Sequence, residues 1–310
     1  MNALRVGVVG TGAMGRNHVR ILSSLAGVEF VGIHDPEPAA AEAVAREHGA
    51  KVFDRLEDLA EQIEAAVVAV PTVAHAEIGC ALLRRGIHVL VEKPIASTLE
   101  EADRLLEAQA QGGDNRVLAV GHVEFYNPAV QALVSVGTPP RFVEVQRLGV
   151  FSPRSLDVDV VLDLMIHDLQ ILQALDSSPV AEVRATGINV LSPRVDICNA
   201  RVELASGCVA NLTASRVSSE RVRKLRAFLP SRYYSLDYQA QEIRGYQLEE
   251  QDGSRKILPA DLPVTQAEPL LRELEAFVAA CRGEVAPLVT GVAGRTALAT
   301  ALAVVEAIRR

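Results

Sequence analysis

Short aliphatic runs alternate with helical patterns over the first 122 residues. Arg5–Val9, Phe30–His34, Ala66–Val70, His88–Val91 and Val117–Val120 read as strands. Between them Met14–Ala26, Pro38–His48, Ala74–Arg85 and Leu99–Gln111 repeat their apolar positions at helical spacing. Strands that are apolar on consecutive positions are covered on both faces, and a helix between each pair makes them parallel. The boundary residues agree. Gly49 and Gly86 follow helices where a left-handed residue ends them, and Ser97 with Glu100 and Thr98 with Glu101 offer two overlapping capping boxes.

From about residue 123 the pattern changes. A short helix (Pro128–Val136) and a longer one (Val160–Leu175) precede the strand-like runs Val180–Val190, Ala200–Leu204, Val209–Ser215, Val222–Leu229 and Tyr233–Tyr238. Short Ser/Gly/Pro/Asn connections between consecutive strands favour antiparallel pairing. Helices Glu268–Arg282 and Gly294–Arg310 close the sequence. The reading is an α/β domain over 1–122, then an α+β domain over 123–310 with a large, mainly antiparallel open sheet. The final helix is free to pack back on the first domain.

Composition narrows the function classes. Of 310 residues 49% are hydrophobic and 23% charged, which is the make-up of a folded chain. Against 31 Lys and Arg stand 39 Asp and Glu, a net −8, so no global field draws nucleic acid or an anionic membrane. An anionic substrate needs a local basic patch. With no Trp and 4% aromatic residues, stacking platforms for single strands are not expected. Cys80, Cys198, Cys208 and Cys281 are scattered without a C-x-x-C pair, so neither a metal site nor a disulfide framework is expected. The first strand begins too early for a signal peptide, and no stretch approaches the ~20 apolar residues of a membrane span. The expectation is a cytoplasmic protein with no membrane insertion and no nucleic-acid partner.

The first strand runs into Gly10-Thr11-Gly12-Ala13-Met14-Gly15, a G-x-G-x-x-G turn that opens a helix. Gly10 permits the tight turn, Gly12 lets backbone approach a pyrophosphate, and Gly15 lets helix pack close on strand. The helix N-terminus offers free N–H groups to the phosphates. Asp35 ends the next strand, 20 residues past Gly15, where a carboxylate bonds the adenosine ribose and repels a 2′-phosphate. Pro36-Glu37-Pro38 supplies no cation for that phosphate, so the cofactor of this Rossmann domain reads as NAD rather than NADP.

Two further segments end parallel strands, where ligands of open α/β sheets bind. They are Val70-Pro71-Thr72-Val73-Ala74-His75 and Val91-Glu92-Lys93-Pro94. Position alone leaves Lys93 open between a reacting group and a surface lysine. Asp163 and His167, four apart on the expected helix, share one face. A carboxylate beside an imidazole is a general-base arrangement; a helix-start Asp with an unrelated His is the plainer reading of the same pair.

These residues together resemble the glucose–fructose oxidoreductase/inositol dehydrogenase (Gfo/Idh/MocA) family over essentially the whole chain. The carriers are Gly10–Gly15, Pro71–His75, Glu92-Lys93-Pro94, the D-x-x-x-H at Asp163–His167 and the helix near Glu268. The resemblance implies hydride transfer between nicotinamide and a carbon bearing a sugar or cyclitol hydroxyl. It implies that Lys93 polarises the reacting oxygen, that His167 is the general base, and that Asp163 orients His167 or the substrate. Val70, Pro71, Thr72, His75, Glu92 and Lys93 would border the cofactor. Many members carry a second Asp three residues after the His; here that position is Gln170, with Asp168 beside the His.

A narrower similarity is to members acting on nucleotide-linked sugars, the bacterial UDP-N-acetylglucosamine 3-dehydrogenases of lipid A synthesis. It rests on Gly121–Pro128, on Ser155–Asp168, and on Ala214–Ser218 with Arg221, Arg223, Lys224 and Arg226. Phe125 stands where Arg is usual. The similarity makes His122, Glu124, Tyr126, Asn127, Arg216, Arg221 and Arg223 candidate substrate ligands. Asn127-Pro128 also reads as a plain helix-start turn, and the basic run as a solvated sheet face or an interface. Three functions follow: a UDP-sugar dehydrogenase, an inositol or free-sugar dehydrogenase, and an NAD-binding regulator without turnover. The family implies a homodimer or homotetramer through the C-terminal sheet.

Overall fold

The computed structural model describes residues 3–113, 115–152, 158–251 and 254–309. Ser155–Asp157, part of the segment singled out above, lies outside them. In chain order the elements are β1 (Leu4–Val9), α1 (Ala13–Leu22), β2 (Val28–His34), α2 (Pro38–His48), α3 (Leu56–Ala60), β3 (Ala65–Val68), α4 (His75–Arg84), β4 (His88–Glu92), α5 (Leu99–Gln111) and β5 (Leu118–Gly121). There follow α6 (Pro128–Val134), β6 (Phe142–Leu148), α7 (Ile166–Leu175), β7 (Val180–Ile188), β8 (Ile197–Leu204), β9 (Val209–Ser215) and β10 (Val222–Leu229). Last come β11 (Arg232–Asp237), β12 (Glu242–Gln251), β13 (Ser254–Pro259), α8 (Pro269–Cys281) and α9 (Gly291–Arg309). They form two compact units, residues 1–123 with 270–295, and 124–269 with 296–310. A contiguous division at 122/123 leaves out this return of residues 270–295. Its cause is a helical stripe on α8: Leu270, Leu274, Phe277 and Val278 complete the apolar core around β1 and β4.

The first unit is a parallel sheet in the order β2-β1-β3-β4-β5. Every residue of β3 and β5 is buried, as strands covered on both faces require. The chain leaves β1 for β2 on one side and returns to β3 on the other, so the strand order reverses there. A crevice at the carboxyl ends of the strands follows. Of the two capping boxes on α5, Thr98 is the one formed. Its hydroxyl accepts the Glu101 N–H at 3.2 Å, and Glu101 accepts the Ser97 N–H at 3.0 Å. α1 stops at Leu22, short of the expected Ala26, because Ser23 and Ser24 turn the chain toward Gly27 at φ +78°.

The second unit is an eight-stranded sheet in the order β13-β12-β11-β10-β6-β9-β8-β7, antiparallel except where β6 meets β9. Cys198, Ala200, Val202, Ala210, Leu212, Leu225, Ala227 and Leu236 alternate onto a buried face. The opposite face carries Lys224–Asp237 and Arg226–Glu144 pairs beside stacked Phe142, Phe228 and Tyr233. The sequence reading missed β6, β12 and β13, and β6 lies near the middle of the sheet. The expected helix Val160–Leu175 is not uniform either: Val161–Met165 is a π turn that leads into α7. α9 is long and apolar enough, by length and composition, to cross a membrane, contrary to the sequence reading. Its Ala297, Leu298, Ala301 and Val304 are fully buried within the protein.

Candidate active site

In the first unit the glycine turn has the geometry its sequence predicts. A Cβ on Gly10 (φ +92°) would stand 2.6 Å from the Ala69 carbonyl oxygen, and one on Gly15 would run into the Gly10 carbonyl. Gly12 has open space around it, and α1 begins there without a side-chain cap or an acidic residue in its first turn. The first N–H groups, at Ala13 and Met14, are therefore set for an anion, the arrangement a pyrophosphate needs. Asp35 reaches back to this turn. It accepts the Thr11 N–H at 2.6 Å, the Thr11 hydroxyl at 2.7 Å and the Glu37 N–H at 2.9 Å. Partial burial pushes its pKa up, but these bonds outweigh it and hold Asp35 ionised, below the usual Asp value. The residues fit a dinucleotide whose ribose meets a carboxylate.

At the ends of β3 and β4 the sequence candidates divide. His75 is buried with one ring nitrogen 2.9 Å from the Val70 carbonyl oxygen and the other 2.9 Å from that of Pro94. It sits between the Val70–Thr72 segment and the Lys93–Pro94 turn, and in the neutral form its single N–H donates to one of these two carbonyls. Burial lowers its pKa. Lys93 is half-buried on a cis peptide to Pro94, and its backbone N–H donates to Glu92 at 3.2 Å. His122 is fully buried. Desolvation first and the Lys93 charge second push its pKa down to about 3, so its imidazole stays neutral.

In the second unit Asp163 sits on the π turn and His167 opens α7, 8% exposed. π turns recur at functional sites because they re-aim side chains without breaking the helix. Asp163 lines a cavity of about 170 Å³ together with Arg147, Arg216, Arg221 and Arg223. Arg223 points to the covered side of the sheet, the register of Leu225 and Ala227, Lys224 and Arg226 point to the other, and Arg221 lies exposed just before β10.

Four substrate candidates prove to have structural duties. Arg216 is buried; its guanidinium donates to the Val195 and Val158 carbonyls and stands 3.5 Å from Asp196. Asp196 also accepts three loop N–H groups and the Ser192 hydroxyl. These outweigh burial and bring its pKa down to about 2. Asn127 caps α6 through the Ala129 N–H and donates to the Tyr238 carbonyl, which makes it the helix-start turn. Tyr126 is buried edge-on against Phe125. Glu124 is committed to Arg147 at 3.2 Å and Arg223 at 2.8 Å.

Sequence reasoning missed the network under the cavity. Arg147 makes two 2.7 Å bonds to Asp168, the residue after His167, and packs 4.9 Å over the Tyr238 ring. The Tyr238 hydroxyl donates to the same carboxylate at 3.2 Å. Burial opposes the Arg147 charge, but Asp168 and Glu124 hold its pKa well above the ordinary value. The missed signal was Arg147 on an inward-facing strand position, where an unpaired cation is too costly to keep.

Similarity to known proteins agrees with this construction. A profile described as "Oxidoreductase family, NAD-binding Rossmann fold" (Gfo/Idh/MocA) matches residues 4–122. The chain is 34% identical over 304 residues to a UDP-N-acetylglucosamine 3-dehydrogenase of Acidithiobacillus ferrooxidans, covering 97% of this chain and 96% of the relative. A solved structure of that enzyme superposes with a TM-score of 0.91 over 99% of this chain and 98% of the other. An inositol 2-dehydrogenase of Rubrobacter xylanophilus is 32% identical, over 60% of this chain and 56% of its own length. A levoglucosan dehydrogenase solved with NADH and levoglucosan shares the fold, with a TM-score of 0.85 at 19% identity. With the glycine turn, the Asp35 carboxylate beside it and a relative matched along nearly the whole length, the chain belongs to the NAD-binding Gfo/Idh/MocA oxidoreductase family.

Proposed function

We propose that this protein oxidises the C3 hydroxyl of UDP-N-acetylglucosamine, or of a close UDP-sugar, to a ketone with NAD as acceptor. The observation that carries the substrate class is the arginine-lined cavity of the second unit, beside a near-full-length similarity to an enzyme of that name. A UDP group brings two phosphate charges into a protein of net −8, so local cations must meet them. Arg221 and Arg223 offer forked donors to phosphate oxygens. Arg147 and Arg216 are already paired and serve as the cavity's frame.

Bound NAD supplies the hydride acceptor. Gly10, Thr11, Gly12 and Gly15 shape its phosphate turn, Ala13 and Met14 offer N–H groups, and Asp35 holds the ribose hydroxyls. Val70, Pro71, Thr72 and Glu92 border the nicotinamide end. The Lys93 ammonium bonds the reacting hydroxyl oxygen and stabilises it as it becomes a carbonyl. His167 takes the hydroxyl proton while the C3–H electron pair leaves as hydride, and Asp163 orients His167 or the sugar. The first unit is the cofactor domain and the second the substrate domain. A cytoplasmic place in lipid A or nucleotide-sugar synthesis and assembly through the open sheet face complete the reading. Exposed Tyr246, Leu248 and Ile257 on β12 and β13 support the last.

The test is NADH formation from UDP-N-acetylglucosamine, with and without a transaminase and glutamate to remove the ketone. Free N-acetylglucosamine and inositol run beside it. Turnover with inositol or a free sugar and none with any UDP-sugar would overturn the proposal.

A further inference from the structure

Three ionisable side chains meet in the interior of the first unit. His18 of α1, Glu92 at the end of β4 and Glu273 of α8 each bring a donor atom to within 4.8 Å of the others. All are buried, His18 and Glu273 completely. His18 Nε2 stands 2.8 Å from one Glu92 oxygen, and the other accepts the Lys93 N–H at 3.2 Å. Gly121 of β5 makes the room: a Cβ there would lie 3.1 Å from the Glu92 carboxyl carbon.

Glu273 differs from its neighbours. Both of its oxygens are buried without a hydrogen-bond partner. As an anion it would lack any donor, with a second carboxyl beside it. Two like charges in dry surroundings do not both ionise. Taking up one proton removes the conflict and turns Glu273 into a donor next to an acceptor. Burial first, and the Glu92 charge second, both act in that direction.

We propose that Glu273 is a positioning residue: it keeps its proton in the folded protein at neutral pH and, with His18, fixes the Glu92 carboxyl that holds the Lys93 backbone. The effect on Lys93 rests on the dehydrogenase reading; the proton does not. In the unfolded chain a Glu releases its proton near pH 4.3. Above that pH the folded state binds one proton more than the unfolded state. Stability therefore falls as pH rises toward the folded pKa and is level beyond it. Gln in place of Glu removes the fall.

The experiment uses the full chain with NAD as wild type, Glu273→Gln and Glu273→Met. Thermal midpoints are followed from about pH 4 to pH 8, with and without EDTA. Infrared spectra at neutral pH look for the C=O band of a protonated carboxylic acid. The expected results are such a band in wild type that Glu273→Gln removes, and a Gln-minus-wild-type midpoint that rises by about 2 °C or more between the pH extremes. In turnover Glu273→Gln stays near wild type, while Glu273→Met lowers kcat about tenfold to hundredfold with NAD affinity kept. Absence of the band, or a midpoint difference that does not grow with pH, overturns the proton. So does a wild-type midpoint that drops in EDTA, which would mark a bound divalent cation. The band with undiminished kcat in Glu273→Met overturns the positioning of Lys93. A band in a protein that oxidises no sugar leaves the proton in place and defeats the dehydrogenase reading.

Discussion

Asp35 accepts three hydrogen bonds from its own chain and stays ionised at the end of β2. A charge-assisted bond to a ribose hydroxyl is worth about 1.5–3 kcal/mol. Asp35→Ser is therefore expected to weaken NAD about 10- to 100-fold and to narrow the preference over NADP, measured as Kd for both. Lys93→Ala and His167→Ala should each lower turnover about 10²–10⁴-fold with NAD affinity kept. Near-full turnover in His167→Ala would place the base elsewhere. At this scale the sequence was most readable where a residue's conformation is forced, as at Gly10 and Gly15. It was least readable where one residue type serves two purposes. Asn127 caps a helix and Arg216 braces carbonyls, and both looked like ligands because a polar side chain in a motif does not say which way it faces.

At the scale of elements, burial on both faces made the strands of the first unit legible, and the capping chemistry of Thr98 located α5. Thr98→Ala should cost about 1 kcal/mol in urea unfolding. β6 was invisible for a physical reason: its inward positions run Val143, Val145, Arg147, and the cation breaks the apolar alternation. The π turn was equally hidden, since Val160–Ile166 is apolar at every position but Asp163, so no spacing marks where the extra residue enters. The buried pair that joins β6 to α7 makes a sharp prediction. Asp168→Ala leaves Arg147 buried with its bidentate partner gone and should cost about 3–5 kcal/mol in denaturant unfolding. Arg147→Met with Asp168→Leu should cost much less than that single change, because no charge is then stranded. Equal losses in the two variants would mean that the pair's bonds, rather than the stranded charge, set the cost.

The whole molecule carries a net charge of −8, yet one cavity of its second unit is lined by four arginines. Charge balance inside that unit decides which of them a ligand can use. Arg147 is neutralised by Asp168 and Arg216 by Asp196. Arg223 is shared with Glu124, and burial with the neighbouring Arg147 charge lowers its pKa, so a further anion there relieves repulsion. Arg221 is exposed just before β10 and needs no rearrangement to meet a phosphate. Arg221→Ala should therefore raise KM for UDP-N-acetylglucosamine about 10- to 100-fold, the value of one charge-assisted bond, with kcat nearly kept. The wild-type KM should climb with salt more steeply than the variant's, since screening acts on the exposed cation that the variant lacks. A free sugar, which carries no phosphate, should show neither effect. If Arg221→Ala left KM for the UDP-sugar unchanged while Arg223→Ala raised it, the anion would sit on the buried side of the cavity. If neither changed it, the basic stretch would belong to the surface or to an interface between copies.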